Sequence, residues 1–279
     1  MLKIFKNTPS SDFSHLPNYG VDEMRAFVES ISFPRPFNTL ENDRARELVV
    51  AEFLKLGRQP KIVGSTKNVV VGDVESAKII VGAHYDSVAT TPGADDNGSA
   101  LASMFRVLAN TKEDVCFVAF NGEECGLLGS FEIAELAKSV QEVHVLEMVG
   151  YKTTEPNSQI NPLAPFVNDM PTIGDFIGVV TNDESFSQGI ATKCNIDLQI
   201  IGLTIEKQIL NLLPSNVKHV TRSDHYPFWL KDVFASMWTD TSEFRNRNYH
   251  KSTDTPETLD YYFMASVADA VVKAISNDN

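Results

Sequence analysis

Ionisable side chains follow three apolar runs of this sequence, close to the point where each run ends. His84 and Asp86 come after the run KIIVGA, and Glu123 and Glu124 come after VCFVAF and a two-residue spacer. Glu147 lies near the end of the run VHVLEM. Imidazole and carboxylate groups bind zinc in proteins, and a carboxylate beside a bound metal can take the proton of an attacking water. These residue types predict metal-assisted hydrolysis, provided that the three runs end at one place in the fold.

The three runs have the composition of buried strands, and segments with helical spacing of apolar residues separate them. Such alternation is typical of a parallel sheet covered on both faces, which binds ligands at the carboxyl ends of its strands. We therefore expect an α/β fold, a three-layer α/β/α arrangement with a mostly parallel central mixed sheet, in a single domain over residues 1–279. Residues 155–171 contain four prolines and are predicted to form a loop over the active site. The predicted strands are Asn68–Val71, Lys78–Ala83, Val115–Phe120, Val143–Met148, Asp175–Val180 and Ala235–Thr239, and the predicted helices are Val21–Ile31, Asn42–Leu56, Ser99–Leu108, Ser130–Lys138, Ser185–Cys194 and Tyr261–Ile275.

His84 has two interpretations at this stage. A single histidine after a strand is commonly a hydrogen-bonded structural residue. Asp86 lies two positions further on, so that in extended backbone both side chains point the same way. A carboxylate there can accept the second ring N–H of a metal-bound histidine and fix its tautomer. The pair therefore favours a metal ligand, while the structural role stays open.

The carboxylates also have structural alternatives. The segment PGADDNGSA reads as a turn that caps a helix, or as a source of one carboxylate that bridges two cations. Glu123 and Glu124 form either a solvated pair or a metal ligand beside a general base. Glu147 is flanked by apolar residues and needs a cation or a salt bridge if it is buried. His250, in the polar segment RNRNYHKSTDTPETLDY, is predicted to lie on a loop and to complete the set.

Composition narrows the partners and the compartment. The formal net charge of −13 and the pI near 4.9 exclude nucleic acid and an anionic membrane surface as expected partners. No run approaches the roughly 18 apolar residues of a membrane span. Three cysteines without a CxxC pair favour a reducing compartment, and the first twenty residues lack a signal-like apolar centre, so we expect a cytoplasmic protein. The oligomeric state is not indicated.

Six segments together resemble metallopeptidase family twenty-eight, which includes di-zinc aminopeptidases, glutamate carboxypeptidases and, more distantly, glutaminyl cyclases. The segments are GAHYDS, PGADDNGSA, FNGEECGLLGS, LEMVGY, RSDHYPFW and YHKSTDTPETLDY. They occur in the family's order from about residue 35 to the end, so the resemblance covers most of the chain. Each segment alone is weak, but six in order are specific.

The resemblance implies a site for two zinc ions. His84 and Glu147 match the ligands of one zinc, and Glu124 and His250 match the ligands of the other. Asp96, the second aspartate of GADDNG, matches the residue that bridges both ions. Many members have aspartate where this chain has Glu147, and the longer side chain shifts either the metal or the backbone.

Further roles follow from the same resemblance. Glu123 matches the general base, Asp86 the partner of the ligand histidine, and Tyr249 a donor to the tetrahedral oxyanion. The family also often has a cis peptide bond after the bridging aspartate, here Asp96–Asn97. Three residues of the RSDHYPF segment match the neighbourhood of the substrate pocket, as substrate contacts or as supports for other site residues. They are Arg222, Asp224 and His225.

The predicted function is a di-zinc exopeptidase, and an aminopeptidase that hydrolyses N-terminal residues from peptides is favoured. A carboxypeptidase would need a basic pocket, which Arg222, Arg245 or Arg247 could supply. A glutaminyl-cyclase-like enzyme uses a related site with one zinc, and a non-catalytic binding module would have lost ligands or base. We expect the specificity pocket to be lined by the 155–171 loop and by residues 200–225.

Overall fold

The computed structural model describes residues 2–276 apart from 12–13, 113, 165, 169 and 207–214. In this described part of the chain, nine strands form one mixed sheet. The apolar runs named above are its central strands, buried along their length because helices or loops cover both faces. The strands are β1 (Leu2–Lys6), β2 (Lys61–Val63), β3 (Asn68–Val71), β4 (Ile79–His84), β5 (Val115–Phe120), β6 (Glu142–Leu146), β7 (Ile177–Thr181), β8 (Ile200–Ile205) and β9 (Phe234–Thr239).

The strand order is β1-β8-β7-β9-β6-β4-β5-β3-β2. The four strands β9, β6, β4 and β5 are mutually parallel, so their carboxyl ends lie along one edge. Antiparallel strands flank this centre: β3 pairs with β5, and β7 pairs with β9. The predicted α/β fold class is confirmed, with parallel pairing confined to the four central strands and to the pair β7 and β8.

Helices cover the two faces of the sheet unequally. One face packs against α1, α2, α3, α5 and α7, and the other packs against α4 and α6. Over β7 and β8, this second face is covered by loop residues, among them Leu163 and Val220. None of the described helices is long and apolar enough to cross a membrane. The helices are α1 (Val21–Ile31), α2 (Leu40–Lys55), α3 (Ala100–Asn110), α4 (Leu128–Leu136), α5 (Glu184–Lys193), α6 (Tyr226–Leu230) and α7 (Tyr261–Ile275).

The predicted elements are all present, with bounds that differ by a few residues. The predicted bounds of α1, β3, β5 and α7 agree with the observed ones. Sequence analysis missed β1, β2, β8 and the short helix α6. The strands β1 and β2 lie at the two sheet edges and are defined by pairing with distant segments, which a local pattern does not encode.

Candidate metal centre

The parallel centre of the sheet brings the predicted ligands together. His84 is the last residue of β4 and lies level with Phe120, the last residue of β5. Glu123 and Glu124 follow β5, and Glu147 follows β6, the other neighbour of β4. Because these three strands are parallel neighbours, the residues that follow them share one edge of the sheet.

Two groups of potential ligands share the carboxylate of Asp96. Its Oδ1 lies 3.4 Å from Nε2 of His84, which lies 3.6 Å from Oε2 of Glu147. Its Oδ2 lies 3.1 Å from Nε2 of His250, which lies 3.4 Å from Oε1 of Glu124. Within each group the candidate ligand atoms lie within 4.8 Å of one another. Each oxygen of Asp96 therefore faces a different group, as a bridging carboxylate would.

The residues fit a pair of zinc ions. Nε2 of His84 and Oε1 of Glu124 are buried and have no hydrogen-bond partner among the described residues. Tetrahedral zinc with bonds of about 2.0 Å separates its ligand atoms by about 3.3 Å, which is close to the separations found here. A donor set of imidazoles and carboxylates suits zinc. A cation in each group would satisfy lone pairs that are otherwise buried without a partner.

The electrostatics of the centre favour added positive charge. Burial raises the pKa of Glu123 well above its ordinary value. Burial alone would lower the pKa of His84, but the carboxylates of Glu147 and Glu123 hold it well above the usual range. Burial likewise opposes protonation of His250, while hydrogen bonding to Asp96 raises its pKa to about 10. The carboxylates therefore hold protons on both imidazoles unless a metal replaces those protons.

Asp86 contacts both the histidine and the glutamate pair. Nδ1 of His84 lies 3.1 Å from the main-chain oxygen of Asp86 and 3.4 Å from Oδ1 of its carboxylate. The two carboxylate oxygens accept hydrogen bonds from the main-chain N–H groups of Glu123 and Glu124, each at 3.2 Å. The sequence led us to expect the carboxylate itself on the imidazole. The structure has the main-chain oxygen nearest to Nδ1 and Oδ1 of the carboxylate next to it, and the carboxylate also holds the loop that carries the glutamates.

Asp254 holds the loop that carries Asp96. Its carboxylate accepts hydrogen bonds from the main-chain N–H groups of Asp95 at 2.9 Å and Asp96 at 3.2 Å. The peptide bond between Asp96 and Asn97 is cis, as the resemblance implied. Sequence analysis assigned no role to Asp254, although it lies in the matched segment YHKSTDTPETLDY. Its acidic side chain, four residues after His250, was the signal that could have indicated a role.

Arg35 is a second residue that sequence reasoning missed. It is fully buried, and its guanidinium donates to the carbonyl oxygens of Tyr85, Pro92 and Gly93 at 2.7–2.9 Å. These contacts join the turn after β4 to the loop before α3. Arg35 stands between two prolines in FPRPF, a position that gave no hint of this role.

Glu147 reaches the centre despite its length. Its Oε2 accepts a hydrogen bond from Oγ of Ser223 at 2.6 Å, which fixes the carboxylate next to His84. The glutamate therefore occupies the ligand position that the resemblance implied. Ser223 had no predicted role and belongs to the RSDHYPF segment.

Tyr249 and Arg222 line the cavity next to the centre. The ring of Tyr249 stacks on His250 with centroids 3.8 Å apart, and burial raises its pKa well above the ordinary value, so the hydroxyl stays a donor. Arg222 is half exposed and forms an ion pair with Glu243 at the cavity wall. Both residues are therefore accessible to a substrate.

Asp224 and His225 lie behind the cavity wall and are fully buried. Nε2 of His225 donates to the main-chain oxygen of Val220 at 2.9 Å, and its ring packs edge-on against Trp229. Burial raises the pKa of Asp224 to about 7. Of the two roles predicted for these residues, the supporting role fits and direct substrate contact does not.

The cavity extends from the ligand groups over β9, β7 and β8, and its empty space is about 860 Å³ with the open mouth included. The 155–171 loop contributes Pro162, Leu163 and Met170 to its walls. Residues 201–203, 219–220 and 222–223 also line it, so both predicted segments border the pocket. The remainder of the 200–225 segment includes 207–214, which lie outside the described residues.

Comparison with known proteins identifies the family. The model for peptidase family M28 matches residues 68–275. The uncharacterized protein YfbL of Escherichia coli K12 is 32% identical over 276 residues, an alignment that covers 88% of this chain and 83% of YfbL. The chain therefore belongs to peptidase family M28.

Solved structures share the fold. The LapA aminopeptidase of Legionella pneumophila has a TM-score of 0.66 at 18% identity, over 91% of this chain and 70% of LapA. The glutaminyl cyclase of Tannerella forsythia has a TM-score of 0.61 at 16% identity, over 94% of this chain and all (100%) of the cyclase. Since one neighbour is named an aminopeptidase and the other a cyclase, the fold alone does not decide the activity.

Proposed function

We propose that this family M28 peptidase is a di-zinc aminopeptidase, which hydrolyses the first peptide bond of a peptide with a free amino terminus. The observation that carries the proposal is the pair of ligand groups joined by Asp96, with Glu123 beside them. His84 and Glu147 would hold one zinc, Glu124 and His250 the other, and Asp96 both. Zinc bound there supplies Lewis acidity, which lowers the pKa of water toward neutrality and polarises a carbonyl group.

Glu123 is placed to move the proton. Its Oε2 lies 4.0 Å from Nε2 of His84, and its buried carboxylate has a raised pKa, which suits a group that takes a proton and returns it. The water oxygen bonds to the carbonyl carbon while Glu123 takes the proton. The C–N bond then breaks and the amine leaves with that proton. Tyr249 donates a hydrogen bond to the carbonyl oxygen as negative charge develops on it.

The charges of the described cavity lining favour an ammonium group over a carboxylate. Glu147 and Glu243 both line the cavity, and the guanidinium of Arg222 is already paired with Glu243. Arg245 is buried away from the lining and donates to Gln159 and to the carbonyl oxygen of Phe176. A carboxypeptidase would need a cation free to pair with the terminal carboxylate, and Arg222, although accessible, already pairs with Glu243, so the cavity favours a free amine.

The apolar walls indicate the first residue of the substrate. Leu163, Val180, Met237 and Phe244 line the cavity beside the ligand groups. Burying a leucine or phenylalanine side chain there contributes about 1.5–3 kcal/mol. We therefore expect substrates such as leucyl and phenylalanyl anilides to be hydrolysed faster than glycyl anilides.

The decisive test combines zinc content with turnover of leucyl p-nitroanilide for wild type and Glu123→Gln. We expect about two zinc atoms per chain in both proteins and a fall in kcat of about 10²–10⁴-fold in the variant. The matched control is Glu135→Gln, on the exposed surface of α4, which should behave as wild type. Full activity of Glu123→Gln would refute the assigned base.

Three further outcomes separate the alternatives. About one zinc per chain, with cyclisation of N-terminal glutamine, would favour a cyclase-like enzyme. Equal hydrolysis of leucyl and N-acetyl-leucyl p-nitroanilide would refute recognition of the free amine. Absence of zinc uptake and turnover would favour a binding module, although the complete set of ligands and base argues against one.

A further inference from the structure

The floor of the cavity continues well beyond the ligand groups, as a row of apolar side chains across four strands. Met237 of β9 lies opposite Val180 of β7, Val180 opposite Leu203 of β8, and Leu203 opposite Ile4 of β1. All four residues line the same cavity. Directly opposed residues point to the same face of a sheet, so these side chains form one continuous strip.

A second row runs parallel to the first. Thr239 lies opposite Gly178, and Gly178 opposite Ile201, and all three line the cavity. Gly178 has no side chain, and the methyl groups of Thr239 and Thr241 lie next to the space that a side chain would take. Leu163 belongs to the same apolar cluster as Met237, Val180 and Leu203 and covers them. The two rows and their cover therefore define a groove, which we call the floor groove.

The floor groove is longer than an amino-acid side chain. From β9 to β1 it crosses three strand spacings of about 4.8 Å, a distance of about 14 Å. Long and aromatic side chains in sheets reach neighbours about 7–8 Å away. An encoded apolar residue bound at the ligand groups would thus fill only the half of the groove nearest β9.

The side chains along the rest of the floor groove, toward β1, determine which ligand can bind there. The first row carries no charged side chain between Met237 and Ile4, and Val180 and Leu203 are almost fully buried. Ile4 is 37% exposed, so the groove opens to solvent at the sheet edge. Burial of a polar chain along this floor would be unfavourable, whereas each methylene group gains about 0.8 kcal/mol.

We propose that the floor groove binds an unbranched apolar chain on the acyl side of the scissile amide, so that the substrate class includes amides with a long linear acyl group. The placement of the amide rests on the proposed function, in which the cavity carboxylates attract the free amine of the acyl residue, and one of them, Glu147, follows the end of β6. The floor begins on β9, the direct neighbour of β6. An extended chain advances about 1.3 Å per bond of about 1.5 Å, so about eleven bonds, or about twelve carbons, span the groove.

The test is calorimetric binding of n-alkyl hydroxamates with four to twelve carbons to the zinc-loaded protein. We expect the affinity to rise about three- to four-fold per methylene up to about twelve carbons, the longest member of the series. A plateau at four or five carbons would overturn the proposal, because that length corresponds to an ordinary side-chain pocket. A second series, n-alkylamines binding to metal-free protein, tests the same gain in affinity per methylene group. In this series we expect the ammonium group to bind the carboxylates of the metal centre.

A pair of variants tests where the chain lies. Ile4→Glu places a charge at the open end and should weaken binding of the twelve-carbon ligand about ten-fold while leaving the four-carbon ligand unchanged. Leu54→Glu makes the same change at an exposed residue of α2 and should alter neither. Equal binding of every length by Ile4→Glu and wild type would show that no chain reaches β1 and would overturn the proposal.

Failure of this inference is distinguishable from failure of the proposed function. If leucyl p-nitroanilide is hydrolysed but affinity stops rising at short alkyl chains, the aminopeptidase assignment stands and the long groove is refuted. If affinity rises with chain length but no amide is hydrolysed, the groove stands and the peptidase assignment is refuted.

Discussion

Asp95 and Asp96 are adjacent and equally buried, yet they belong to two different carboxylate clusters. Asp96 faces the imidazoles of His84 and His250, which hold its pKa below the ordinary value against the effect of burial. Asp95 points the other way and accepts hydrogen bonds at 2.6–2.9 Å from Ser99, from the main chain of Gly150 and from Asn246. Burial raises the pKa of Asp95.

The contrast shows what makes a buried carboxylate available to a metal. The Asp95 cluster is saturated by protein donors, and its neighbour Asp240 accepts from the main chain of Tyr151 and Ser242 at 2.9 Å each. Burial and the charge of Asp95 raise the pKa of Asp240 well above its usual range, and we therefore expect the two carboxyl groups to share a proton. The Asp96 cluster has few protein donors besides its histidines, and a cation is the partner it lacks.

The largest effect is expected when the same substitution is made at each of the two aspartates. Asp96→Asn should weaken zinc binding at both positions by more than about 100-fold, because the bridging charge is lost. Asp95→Asn should retain zinc but lower the free energy of unfolding by about 1–3 kcal/mol, since a saturated acceptor is disrupted. Zinc titration and chemical denaturation measure the two effects. Loss of zinc in Asp95→Asn and not in Asp96→Asn would reverse the comparison.

Removal of the metal should make stability depend on alkaline pH. In metal-free protein the raised pKa of His250, about 10, stabilises the fold fully below about pH 6.5, and this contribution is lost as pH rises toward 10. His84 acts in the same direction. Between pH 6 and 9 we expect Tm of chelated protein to fall by roughly 5 °C, while zinc-loaded protein changes little. The same dependence of Tm on pH in chelated and zinc-loaded protein would contradict this explanation.

The hydrogen bond from Ser223 to Glu147 offers a smaller test of the metal-facing cluster. Ser223→Ala should weaken zinc binding at the His84 position about ten-fold, because the carboxylate of Glu147 loses the hydrogen bond from Oγ of Ser223 that holds it in place. The exposed Ser76→Ala is the control and should bind zinc like wild type. An unchanged zinc affinity in Ser223→Ala would show that the longer glutamate needs no positioning.

The smallest effect concerns the saturated cluster. Asp240→Asn cannot titrate and loses one main-chain hydrogen bond, so at pH 4 it should be less stable than wild type by about 1 kcal/mol. The raised pKa of Asp240 means that wild type loses stability as pH rises from about 4 toward that pKa. The difference should therefore close or reverse by pH 8 in denaturation of zinc-loaded protein. A constant difference at both pH values would argue against the shared proton.

Much of the candidate site was predictable, because its residues follow strands that local patterns reveal. His84, Glu124 and Glu147 come directly or shortly after runs that could only be buried strands, and parallel strands end together. The choice of Asp96 over Asp95 came from the resemblance alone, since both aspartates read alike in the sequence. Their separation depends on the cis bond after Asp96 and on the hydrogen bonds from both main-chain N–H groups to Asp254.

The sequence by itself determined the α/β alternation, the ionisable groups at the strand ends and the negative net charge, because each is a property of local composition. Only the tertiary structure decided three features: the hydrogen bonds by which Arg35 joins the turn after β4 to the loop before α3, the main-chain contact of Asp86 with His84, and the floor groove. The groove is built from residues 4, 180, 203 and 237, which are far apart in the chain. Register between strands brings them into one row, and register is set by pairing across the sheet rather than by any one segment.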